Sequence, residues 1–160
     1  MARVTRRVAS IVTPILAVAA LGACGGGTST KEKNAYARQV NAAQTKFATT
    51  VSTAASKESK GERSISSLQL TLRRFRAAIE DVVRDLRDID PPSEVSEEHG
   101  QLVSVMSGYG DAIGRTIEEM RNPTPREAQL ARQRLDSAQR SVTARVNAAI
   151  TAINVKLRGG

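Results

Sequence analysis

Residues 65–89 read ISSLQLTLRRFRAAIEDVVRDLRDI. Ile65, Leu68, Leu72, Phe75, Ile79, Val82, Leu86 and Ile89 recur at spacings of 3, 4, 3, 4, 3, 4 and 3, an unbroken seam over nearly four heptads. An α-helix makes one turn every 3.6 residues, so this pattern gathers these eight apolar side chains on one face. Such a stripe must be buried against other helices. Asp90-Pro91-Pro92 closes the segment, since proline lacks the donor a helix needs and restricts the residue before it.

Working outward, the same periodicity marks three more helices. On the N-terminal side Tyr36, Val40, Ala43, Phe47, Val51 and Ala54 share a face, with a threonine-rich patch at residues 49–53 where fraying or bending is expected from poor helix propensity. Gly61, among charged residues, marks the turn between the first two helices. Downstream, Val95, His99, Leu102, Met106, Tyr109, Ile113, Ile117 and Met120 form the third seam, and Ala128, Ala131, Leu135, Ala138, Val142, Val146, Ala149, Ile153 and Leu157 the fourth. Thr124-Pro125-Arg126-Glu127 gives the fourth helix a Thr cap, Pro at its first position and Glu three after the cap. The helices are expected over about 31–57, 64–89, 93–121 and 125–158.

Composition agrees with this reading. The 160 residues hold only four aromatics (Tyr36, Phe47, Phe75, Tyr109) and no Trp, which suits helix-on-helix packing better than a sheet. Four helices with short connections predict an all-α, antiparallel up-down-up-down four-helix bundle over residues 31–160. Its alternative is a pair of helical hairpins that dimerise through the Ala-rich first and fourth seams, so the chain is expected as a monomer or a homodimer.

Ahead of the bundle stands a short basic start, residues 1–7, and a 14-residue apolar run over residues 8–21. That length fits a signal-peptide core and is too short to span a bilayer, which takes about 20 residues. Leu21-Gly22-Ala23-Cys24 follows. This motif resembles the lipobox of bacterial prolipoproteins, Gly22 being a mild departure where Ala or Ser is commoner. The resemblance implies that Leu21 is the apolar recognition residue, that Ala23 is the small residue before the cut, and that the Cys24 thiol receives the lipid. Residues 1–23 are then a removed signal peptide, and residues 24–30, from Cys24 through three glycines, a flexible tether. Thr5-Arg6-Arg7 is similar to a twin-arginine signal, but Ala9-Ser10 replaces the apolar pair expected there, which favours general secretion. Elsewhere, Tyr36, Val40-Asn41, Gln44 and Phe47, then Pro91-Pro92, His99 and Leu102-Val103, resemble small helical lipoproteins of actinobacteria without an established function. The resemblance implies location on the extracytoplasmic face of the cell membrane.

Residue inventory bounds the chemistry. The lone cysteine is assigned to lipid, no serine sits in a nucleophile-elbow context, and no glycine-rich phosphate loop follows a strand. No enzyme activity, cofactor or metal is expected. His99 is the one group that titrates near neutral pH. It stands on the apolar seam without a glutamate three residues earlier, so packing is the simpler role. Gly108, Gly110 and Gly114 cost helix stability, about 1 kcal/mol each. Close approach of a neighbouring helix explains them; a groove made by His99, Met106, Gly110 and Gly114 for an apolar ligand or a metal is the sharper alternative.

Charge is unevenly placed. The chain is +8, and removing Arg3, Arg6 and Arg7 with the signal leaves +5. Residues 24–123 carry 14 basic and 14 acidic side chains, so the whole excess belongs to the fourth helix, with seven basic and two acidic. Arg132, Arg134, Arg140 and Arg145 are therefore candidates for contact with anionic headgroups or an acidic envelope polymer. Nucleic acid is not expected for an exported chain without stacking aromatics. The expected function is that of a membrane-anchored, non-catalytic interaction or cell-envelope module with a protein partner of unknown identity; the alternative is a small-ligand or metal carrier.

Overall fold

The computed structural model describes residues 29–58 and 65–159, so the lipobox-like motif with Leu21, Gly22, Ala23 and Cys24 lies outside the described residues. The described chain is helical, with no strand: α1 (Thr30–Glu58), α2 (Ile65–Arg87), α3 (Ser96–Glu119) and α4 (Pro125–Gly159), plus a turn of 3-10 helix at Ser93–Val95. No described helix is long and apolar enough to cross a membrane.

Two capping boxes start the outer helices. Glu127 accepts hydrogen bonds from the Thr124 amide (2.8 Å) and hydroxyl (2.7 Å), while its own amide donates to Thr124 Oγ1 at 3.3 Å. Ser29 and Glu32 repeat this arrangement at the start of α1, at 2.8, 2.8 and 3.3 Å. Each box satisfies donors that a helix N-terminus leaves free. Ser29 and Thr30, read from sequence as tether, thus cap and open the helix. The threonine patch does not interrupt α1: Thr45, Thr49, Thr50 and Thr53 each donate to the carbonyl four residues back.

α2 stops at Arg87, two residues before the expected end. Its last turn tightens, with the Ile89 amide donating to Leu86 O at 3.2 Å, as the chain approaches Asp90 and Pro91. Ile89 remains buried and still serves the seam. A short helical turn then redirects the chain into α3, the Val95 amide donating to Pro92 O at 3.0 Å.

The four seams meet in one core. All eight expected positions from Val95 to Met120 are buried, as are Tyr36, Val40, Leu72, Ile79, Val82 and Leu86. Val51, Ala54 and Ile65 have side chains outside the described set. The buried surface is wider than the seams, since Ala37, Ala78, Val83, Val105 and Ile150 flank them. A core-facing helix presents about three positions in seven rather than two. α2 packs against α1 and α3, and α3 packs most extensively against α4. Along α4 the ends are buried (Ala128, Ala131; Ile150, Ile153, Leu157), whereas Leu135, Ala138, Val142 and Val146 are half-buried. Phe47, Phe75 and Tyr109 form an aromatic chain across the middle, with centroids 6.0 and 5.8 Å apart.

Candidate functional site

Polar groups gather where the starts of α1 and α3 meet the ends of α2 and α4. Tyr36 opens the seam of α1 and His99 that of α3; their rings stand edge-on with centroids 5.6 Å apart. His99 Nε2 lies 2.9 Å from Leu86 O, and its Nδ1 lies 3.1 Å from the Tyr36 hydroxyl. A carbonyl only accepts, so Nε2 carries the proton and Nδ1 accepts from Tyr36. Burial holds the His99 pKa below its ordinary 6.5, against the bond to Leu86, which works the other way. Burial also lifts the Tyr36 hydroxyl well above the usual phenol range, helped by Glu98. Imidazole is thus neutral near neutral pH, and both its nitrogens are engaged.

Two ion pairs border this contact. Lys156 on α4 meets Glu98 Oε1 at 2.6 Å, and Lys33 on α1 meets Glu94 at 3.2 Å. Lys33 also donates to Leu157 O at 3.5 Å. The Lys156 hydrogen bond keeps the Glu98 carboxyl below its ordinary range and raises the lysine in turn. Glu98 Oε2 and Asn154 Oδ1 are buried without a hydrogen-bond partner among the described residues. The arrangement ties four helices together; it leaves His99 no free lone pair for a substrate or metal. Among the described residues no group of three His, Cys, Asp or Glu side chains is placed to hold a metal ion.

The other groove candidates do not gather around His99. Met106 and Gly110 are buried further along α3, and Gly114 lies fifteen residues beyond His99, roughly 22 Å along the axis. A Cβ on Gly110 would meet Ile79 Cγ2 at 3.3 Å, and one on Gly114 would meet the Arg76 guanidinium at 3.2 Å. Both glycines therefore let α2 side chains approach the α3 backbone. Gly114 also borders an open cleft of about 510 Å³ whose walls are charged: Arg76, Arg115, Asp111, Glu118 and Glu119.

Arg132, Arg134, Arg140 and Arg145 are all exposed on α4. Arg134 pairs with Glu119 at 2.9 Å, while the other three form no ion pair among the described residues. Sequence reading missed the Tyr36–His99 pair and the Glu98–Lys156 bridge. Both members of the first pair stand near the start of their seams, which is the one signal the sequence offered. No family model, curated protein or solved structure matches the chain.

Proposed function

We propose that this protein is a lipoprotein held by acylated Cys24 on the extracytoplasmic face of a bacterial cell membrane, working as a non-catalytic interaction or cell-envelope module. Its bundle is antiparallel and up-down-up-down. Support for that order comes from the contacts at one end between the start of α1 and the end of α4 (Lys33 with Leu157), the starts of α1 and α3 (Tyr36 with His99), and the start of α3 and the end of α4 (Glu98 with Lys156). Arg134 with Glu119, and Gln69 with Met120 O, support it at the other end.

The observation that carries the non-catalytic reading is the His99 ring, neutral and bonded at both nitrogens. The anchor rests on the resemblance of Leu21-Gly22-Ala23-Cys24 to a lipobox. Four residues separate Cys24 from the Ser29 cap, so the bundle starts no more than about 18 Å from the anchored residue. Two or more acyl chains give stable attachment, each buried methylene contributing about 0.8 kcal/mol. Partners are the bilayer, an anionic surface facing α4, and a second protein.

Fractionation of cells producing the chain or its Cys24→Ser variant tests the anchor. The native chain is expected in membranes after a high-salt wash and the variant in the soluble fraction; a variant that stays with the membrane overturns it. Crosslinking from those membranes is expected to recover a protein partner, whereas a small ligand seen by native mass spectrometry would favour a carrier.

A further inference from the structure

We propose that the outer face of α4 is a lipid-contact surface, and that the anchored bundle lies along it on a bilayer rich in anionic headgroups. This rests on the anchoring reading above. Leu130 and Val155 are 41% and 63% exposed, and with Leu70 on α2 they are the large apolar side chains left most open among the described residues. They are 25 residues apart in one helix, about seven whole turns, so both project from the same line. Between them that line holds Ser137, Ser141, Ala144, Ala148 and Thr151, all exposed and uncharged.

Arginines border the line on both sides. Arg126, Arg140 and Arg158 are about four and five turns apart and make one row; Arg134 and Arg145, about three turns apart, make the other. Of these, only Arg134 has an ion-pair partner among the described residues. Glu127 is turned into the Thr124 cap, leaving Asp136 as the other acid of the helix. An apolar and small-residue line between rows of guanidinium groups is the layout of a helix lying in a headgroup plane, where long basic side chains reach the phosphates. The anchor leads to one end of this helix, because α1 begins beside the end of α4, with Lys33 Nζ 3.5 Å from Leu157 O. Tethering makes the contact intramolecular, so a weak surface suffices.

The test uses the mature chain purified from membranes and reconstituted in phosphatidylcholine vesicles with or without phosphatidylglycerol. A nitroxide is placed on Ser137→Cys, or on Leu70→Cys as the control on α2. Collisions with lipid-soluble oxygen and with a water-soluble nickel chelate report depth. With phosphatidylglycerol the label at 137 is expected to gain oxygen and lose nickel collisions while that at 70 stays in water. High salt should reverse this, and Arg140→Gln with Arg145→Gln should weaken the contact about fivefold per arginine. A label at 137 equally hydrated in both vesicles overturns the proposal, as does protection seen only in native membranes, which would assign the face to a protein. Flotation at high salt separates the two readings. A chain that floats with its 137 label in water loses only the docking face, and a chain that does not float loses the anchor and the face together.

Discussion

The hydroxyl and the carbonyl that enclose His99 set its tautomer, and burial disfavours its charged form. His99 binds a proton less readily folded than unfolded. As pH falls through about 6.5 the unfolded chain takes up the proton first, so stability declines until the folded imidazole also titrates. Glu98 adds to the trend lower down: its folded pKa lies under the ordinary 4.5, so its contribution is present above 4.5 and is lost as pH falls through the folded value. Urea midpoints measured from pH 8 to 4 are expected to fall on the acid side, and His99→Phe should remove the upper part of the slope. The same variant leaves the Tyr36 hydroxyl without its acceptor and the Leu86 carbonyl with the Ile89 amide alone, at a cost of about 1–3 kcal/mol. The helix-three glycines should separate in the same assay. Gly108 has open space around its Cβ position, so Gly108→Ala is expected to stabilise by about 1 kcal/mol. Gly110→Ala should gain less or lose, since Ile79 must give way.

Helix ends decide the next scale. Thr124→Ala removes both an acceptor for the Glu127 amide and a donor to its carboxylate, and is expected to cost about 1 kcal/mol by urea denaturation. Ser29→Ala should cost a similar amount at the start of α1. The box at Thr124 was legible because Pro125 and a periodic seam follow it. The box at Ser29 has the same spacing, yet it sits at the end of a run of glycine, serine and threonine that reads as tether. Seam centres were legible for the same reason that α2 was: spacings of 3 and 4 name the buried line directly. Its width was not, because Ala37, Val105 and Ile150 are buried only once neighbouring helices are in place. The Tyr36–His99 pair was illegible for a related reason, since periodicity gives faces and not which residues of two helices share a level.

Across the whole molecule, charge and anchor are linked through chain order. The excess of basic residues lies on the helix whose end adjoins the start of α1, and four residues separate the Ser29 cap of α1 from Cys24. With the proposed lipid at Cys24, that end of the bundle, where α4 meets the start of α1, would lie nearest the membrane. His99 contributes to this by joining α1, α2 and α3 at that same end. The membrane location and the lipid-contact face of α4 both rest on the proposed lipid at Cys24. Intact-mass measurement of the chain extracted from membranes tests that claim most directly. A chain beginning at residue 24 with a diacylglyceryl mass on Cys24 is the expected result; a free, unmodified Cys24 thiol would overturn the anchor.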